Sequence, residues 1–163
     1  MRLPIVQYPA EILRQPAIAV QRNYPQLHKL IHNMWDSMYA AHGCGLAAPQ
    51  VNIPIRLFVA DSISTWQQVR GAERLEQFPD NKGIREVFIN PEIIYQSDTT
   101  ATDLEGCLSI PGKSGQVVRP WQITIRYLDA RFREQEKTYA GFTARMIQHE
   151  MDHLDGILYI DKM

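Results

Sequence analysis

His149, Glu150 and His153, in the stretch "IQHEMDHLDGILYIDKM" (147–163), are the residues of this chain best suited to chemistry. Four-residue spacing on a helix puts both imidazoles on one face, where they can ligate a single cation. Glu150 lies beside them to take a proton from water on that cation. A catalytic site of this kind needs a third protein ligand and one position left open. The plain alternative is a pair of surface histidines on an amphipathic helix, which the apolar stripe of Ile147 and Met151 argues against.

The ten residues after His153 serve a third ligand poorly. In the extended pattern His-Glu-x-x-His-x-x-Gly-x-x-His, Gly156 falls into place but Tyr159 occupies the ligand position. Asp155 sits too close to the helix end, Asp161 lies in a short tail, and there is no room for a later helix carrying a carboxylate. The ligand is therefore expected upstream, where there are two cysteines. Cys107, in "DLEGCLSIPGKSG" at the end of a strand, offers a soft thiolate to a transition metal. A small buried core cysteine is the other reading of the same residue. Cys44 stands in "GCGLAAPQ" (43–50), where flanking glycines allow close backbone approach and the Gln50 amide can donate to an oxyanion. A helix cap with a packed turn is the plain alternative there. Cys44 is the weaker ligand of the two because glycines govern its segment, but spacing leaves both open.

These residues need elements to hold them. Leu27, Leu30, Ile31, Met34, Trp35 and Met38 recur at helical spacing, which predicts an amphipathic helix over 24–42 with Pro25 in its first turn and Gly43 as its stop. His28 and His32 lie off that stripe and read as solvated. A second helix is expected over 143–155, ending at Gly156, with Ala144, Ile147, Met151 and Leu154 on its buried side. Between them the chain is β-rich. "IRLFVAD" (55–61) is one strand, "REVFINPEIIYQ" two short strands broken at Pro91, "QVVRP" another, and "QITIRYLDARFREQEKTYA" a hairpin turning at 129–133. The polar stretch 62–83 is long for a loop and calls for a short helix or a mobile segment. Segregated strands followed by one helix imply an α+β architecture, a single domain over 1–163 with antiparallel sheets packed around the C-terminal metal-binding helix.

Composition narrows the function. With 45% hydrophobic and 21% charged residues and a net charge of -1, the chain has the balance of an ordinary globular domain. It carries no Lys/Arg runs, so no direct nucleic-acid binding is expected. Nor does it hold a segment of membrane-spanning length or a signal-peptide core, so neither membrane attachment nor export is expected. Two cysteines in such a chain are expected to be reduced.

"GCGLAAPQ", "EGCLS" and "QHEMDH", in this order and over essentially the whole chain, closely resemble the three signature motifs of peptide deformylases. The resemblance implies that Cys107, His149 and His153 bind one divalent metal ion with water as fourth ligand. The expected native ion is Fe2+, with Zn2+, Ni2+ or Co2+ able to substitute, whereas the ligand types alone suggest zinc. It further implies that activated water attacks the formyl carbonyl of an N-formyl-methionyl peptide, with Glu150 as general base and then acid. The Gln50 amide and the Leu108 N–H would stabilise the oxyanion, and formate would leave. The substrate peptide is expected to pair with backbone around Gly43, Cys44, Gly45 and Gly106 as an added strand. Arg119 is a candidate peptide contact by family position, with a plain surface arginine as the alternative. Phe142 and Met146 are candidate walls of the methionine pocket, with core packing as theirs.

The implied partners are nascent chains emerging from the ribosome, with transient ribosome contact. The implied setting is the bacterial cytoplasm, or an organelle after removal of a transit peptide. Three departures from the family pattern stand out. Cys44 replaces a branched apolar residue and adds a thiol open to oxidation. Arg145 replaces an apolar pocket residue, its stem expected to line the pocket while its charge reaches solvent. A further C-terminal helix found in many members is missing from the sequence.

Overall fold

A computed structural model describes residues 1–163. Helix α1 spans Leu27–Ala40, α2 Ile63–Gln68, α3 Gly71–Gln77 and α4 Gly141–Leu154. Strands β1 (Gly45–Ala47), β2 (Leu57–Asp61), β3 (Arg85–Gln96), β6 (Gln122–Leu128) and β7 (Glu134–Ala140) form one antiparallel sheet in the order β1-β2-β3-β6-β7. β4 (Thr100–Cys107) and β5 (Ile110–Pro120) form a separate antiparallel hairpin. The architecture is α+β, with α4 seated against the sheet.

The sheet is buried on both faces where it matters. Leu57 and Val59 of β2 pack with Leu30, Ile31, Met34 and Met38 of α1. Phe58 and Ala60 point the other way, with Phe88, Ile125 and Tyr127, onto Ala144, Ile147 and Met151 of α4. This explains why "LFVA" reads as an unbroken apolar run: strand alternation sends each residue into a different core. Each large apolar side chain so buried contributes roughly 1.5–3 kcal/mol. The ring centroids of Phe58 and Phe88 lie 4.5 Å apart, and those of Phe88 and Tyr127 4.4 Å. β7, at the sheet edge, carries the charged "EQEK" that discourages further pairing.

Several boundaries differ from the sequence reading. Pro25 precedes α1 rather than opening it, because Gln26 takes a left-handed turn (φ 56°) before Leu27. Past Ala40 the left-handed residue is His42 (φ 59°), so Gly43 is not needed as the helix stop. A Cβ on Gly43 would instead come within 2.5 Å of the Leu108 side chain. β3 runs through Pro91 as one strand. The register slips there, and Asn90 (φ 48°) exchanges hydrogen bonds with the backbone of Val20, so the missing proline N–H falls in a bulge. His28 and His32 are exposed, as the helical stripe requires.

The 62–83 stretch forms α2 and α3, and α2 is firmly tied at its start. The buried Asp61 carboxylate accepts from Ser64 N–H (3.1 Å), Ser64 Oγ (3.0 Å), Tyr39 OH (2.6 Å) and Arg85 Nε (3.1 Å). Gly83 packs its Cα against the α2 backbone with φ 88°, where a Cβ would lie 2.6 Å from Ile63 Cα. Gly83→Ala is therefore expected to cost about 1–3 kcal/mol through strain and backbone overlap, read as a lowered melting temperature. An unchanged melting curve would contradict that packing.

Candidate active site

α4 delivers His149 and His153 one turn apart, with ring centroids 5.1 Å apart. The hairpin delivers the third group. A register shift between Glu105 and Cys107 turns the end of β4 so that the Cys107 thiol meets the histidines. One ligand atom from each of Cys107, His149 and His153 lies within 4.8 Å of the others, and Cys107 Sγ is 3.4 Å from His153 Nε2. A thiolate and two imidazoles so clustered fit a divalent transition metal. Cys44 is outside the cluster. Asp155 pairs with Arg56 at 3.0 Å and Asp161 with Arg14 at 2.5 Å, so neither turns toward the histidines. Tyr159 stacks over His149 (centroids 6.2 Å, 25°), packing against an imidazole rather than replacing one.

Glu105, two residues before the cysteine, organises what surrounds the cluster. Its buried carboxylate accepts from His149 Nδ1 (2.9 Å), Arg119 Nε and Nη2 (2.5 and 2.8 Å) and Arg145 Nη1 (2.7 Å). Arg119 continues to Asp152 (2.9 Å), which Lys162 also reaches (3.1 Å). With Nδ1 committed to Glu105, Nε2 is the His149 nitrogen left to coordinate, a carboxylate–imidazole arrangement that fixes the ring's orientation. Burial raises the Glu105 carboxyl, but Arg119 and His149 overcome it and hold it well below the usual carboxylate range. Burial likewise opposes charge on His149, while hydrogen bonds to Cys107 and Glu105 raise it to about 10, so without a metal the ring holds its proton and coordination has to displace it. His153, with burial dominant and His149 adding to it, is pushed well down and stays neutral, the form that coordinates.

Glu150 projects into the same space. Burial raises its carboxyl to about 7, helped by Glu105 and opposed by His149, and its Oε1 has no hydrogen-bond partner. A pKa near neutrality suits proton transfer in both directions. Gly45 makes the room, since a Cβ there would lie 2.5 Å from Glu150 Oε2. Gln50 is oriented without ambiguity. The Ala47 N–H donates to its Oε1 (2.9 Å), so its Nε2 faces the cluster, 3.6 Å from Cys107 Sγ and 3.1 Å from Ser109 Oγ.

These groups line a cavity of about 690 Å³. Glu150, Gln50, Cys107, His149 and Leu108 border it, as do Gly43, Cys44, Gly45 and Gly106, and Phe142 and Met146 on α4. Ser64, Thr65 and Gln68 of α2 close the rim, so the stretch after Asp61 does border the site. Three expectations are corrected. Arg119 is 2% exposed and spent on Glu105 and Asp152, so it supports the site from behind rather than touching a peptide. Arg145 turns its charge inward, bonding Glu105, Val117 O (3.0 Å) and Ala101 O (2.8 Å), because the buried carboxylate is nearer than solvent. Burial and the neighbouring Glu150 push the Cys44 thiol up to about 12, which disfavours the thiolate, the form that oxidises readily.

Sequence reasoning missed Glu105 and Ser109. Both stand inside "EGCLS", and the acid's position in an otherwise mixed strand was the one available signal.

The comparisons with known proteins agree along the whole length. The family model described as Polypeptide deformylase matches residues 2–163. The chain is 47% identical to a peptide deformylase of Salinibacter ruber, covering 99% of this chain and 80% of that protein. It is 43% identical to one of Christiangramia forsetii, covering 100% and 82%. Among solved structures, the Met-Ala-Ser-bound class I type b peptide deformylase of Acinetobacter baumannii superposes with a TM-score of 0.85 at 32% identity, covering 100% of this chain and 99% of that one. The Plasmodium falciparum peptide deformylase gives a TM-score of 0.83 at 39% identity, covering 98% and 85%.

Proposed function

This chain belongs to the polypeptide deformylase family and is an enzyme of that kind, and on that premise we propose how its own residues remove the formyl group from N-formyl-methionyl peptides. The observation that carries the reading is the convergence on one cavity of three metal-type donors, a buried carboxylate near neutrality and an amide whose donor end is fixed. Cys107, His149 and His153 are the proposed holders of one divalent ion. Ferrous iron is proposed as native, with zinc, nickel or cobalt as substitutes. When bound, the ion would polarise the formyl carbonyl and make water a stronger acid.

The chain's residues do the rest. Glu150 takes the proton of the attacking water and returns it to the departing amine nitrogen, so that formate and the free peptide amine leave. Gln50 Nε2 and the Leu108 N–H donate to the oxygen that gains negative charge at the formyl carbon. The peptide lies along the free edge of β1. Cys44 O accepts from Asp61 N–H toward β2, so by strand alternation the N–H and C=O of Gly45 face outward, ready for an added strand. Phe142 and Met146 receive the methionine side chain. The proposed substrates are nascent chains leaving the ribosome, met where translation begins with formyl-methionine: the bacterial cytoplasm, or an organelle as second setting. Transient ribosome contact belongs to this proposal, as does the unity of 1–163 as one catalytic domain. No helix is long and apolar enough to cross a membrane.

Metal-replete protein prepared without oxygen should release formate from formyl-Met-Ala-Ser, with the bound metal assayed in the same sample. Metal-loaded protein that yields no formate, or that cleaves internal peptide bonds instead, would sink the proposal. Gln50→Ala should lower kcat by about 10²–10³-fold with metal content unchanged, the usual loss for one oxyanion donor. A variant within a few-fold of the original would remove Gln50 from that role.

A further inference from the structure

The cavity assigned to the formyl-methionine side chain shares a wall with a second cavity. The first measures about 690 Å³ and the second about 270 Å³, and Phe142 and Arg145 line both. Behind that wall the second space is bounded by Glu73, Glu76 and Gln77 of α3, by Asp103 of β4 and by Trp121. α3 belongs to the 62–83 stretch that no part of the proposed mechanism uses.

The two wall residues are braced. Phe142 stands in the first turn of α4, its ring tilted against that of Phe78 (centroids 5.7 Å), which follows α3. The Arg145 guanidinium is fixed by Glu105, Val117 O and Ala101 O at 2.7–3.0 Å, so its stem cannot swing aside cheaply. Phe142 lies seven residues before His149, about 10 Å along the helix axis, with Met146 between them. A methionine side chain reaching along α4 from the reacting carbon fills that interval, and a longer chain meets the wall.

We infer that Phe142 and Arg145 form a partition that limits the length of the side chain at the formylated residue, closing off a rear cavity that α3 completes. The inference rests on the deformylase reading of the front cavity. The rear cavity is acidic, with Glu73, Glu76 and Asp103 on its walls, whereas the Arg145 charge is already taken by Glu105. A breached partition therefore favours a long side chain with a cationic end. Arginine reaches further than methionine and ends in a cation.

The test compares kcat/KM for formyl-Met-Ala-Ser and formyl-Arg-Ala-Ser in the unmodified enzyme, Phe142→Ala and Arg145→Met. Phe142→Ala leaves the Glu105 hydrogen bonds intact and should raise the Arg/Met ratio at least about tenfold, the scale on which a pocket discriminates side-chain length. Arg145→Met should raise it less, since the stem remains. Because Trp121 faces the rear cavity, Arg-Ala-Ser should alter its emission in Phe142→Ala and not in the unmodified chain, with Trp121→Phe as the blank. A ratio within twofold of the original in folded, metal-loaded Phe142→Ala overturns the partition. If that variant does not fold, the ratio in Phe142→Leu decides on the same criterion. Absence of formate from both substrates in unmodified enzyme would instead count against the deformylase reading, and the Trp121 measurement still decides the partition.

Discussion

Glu150→Ala should bind metal as the unmodified chain does and lose about 10³-fold in kcat for formate release, within the range expected for a positioned general base. None of the three clustered donor atoms belongs to Glu150, so its removal leaves the metal-binding set whole. Stability should not fall and should rise if anything. The carboxylate is 4% exposed, its Oε1 has no partner, and burial raises its pKa to about 7. A buried, unpaired carboxylate destabilises a fold, and this one is kept where chemistry needs it. The combined result, lower activity with an equal or higher melting temperature and equal metal content, separates a catalytic group from a structural one. Activity within tenfold of the original would dismiss Glu150 as the base.

Much of this arrangement is legible in the sequence because it is local. The α1 and α4 stripes show at helical spacing, the hairpin of β6 and β7 shows as alternation around 129–133, and His149 and His153 share a helical face wherever the helix lies. The sequence predicts two strands where β3 is one, because proline is a sound breaker in the middle of a ladder. Here a bulge and the Asn90 side chain absorb it. α2 and α3 carry no buried residue of their own, so their sequences show no apolar period, and tertiary anchors such as Asp61 and Gly83 hold them instead. Gly45 looked like room for a peptide backbone. It is also clearance for Glu150, a residue 105 positions later, and no local pattern records that contact. Arg119 is expected at the peptide or on the surface, and the Arg145 charge in solvent, because arginine on its own prefers an open setting. Their shared carboxylate is 14 and 40 residues away, beyond the reach of any periodicity.

That shared carboxylate carries the other large expected effect. Glu105→Gln should destabilise the chain by about 3–5 kcal/mol, the usual result of removing one partner from a buried ionic network. The amide oxygen can still accept at one of the two former oxygen positions. Its NH2, however, would meet donors whichever way it turned, Arg119 Nε and Arg145 Nη1 in place of Oε2 or Arg119 Nη2 and His149 Nδ1 in place of Oε1, and both arginines are buried, 2% and 8% exposed. Asp152 would be left to balance Arg119, and nothing anionic would balance Arg145. Against a total stability of about 5–15 kcal/mol, a loss of this size endangers folding at physiological temperature. The melting temperature should drop on the order of 10 °C. Metal affinity should fall as well, by about 10–100-fold, because His149 Nδ1 exchanges the carboxylate that fixes its ring for a neutral amide. The two effects have separate readouts, thermal melting of the metal-free chain and metal titration of the folded one. A Glu105→Gln chain that melts and binds metal like the original would show that the histidine pair is held by helix geometry alone. The expected outcome is the reverse: the motif on α4 becomes a metal site only because a strand residue outside it holds one imidazole in place and neutralises two buried arginines around it.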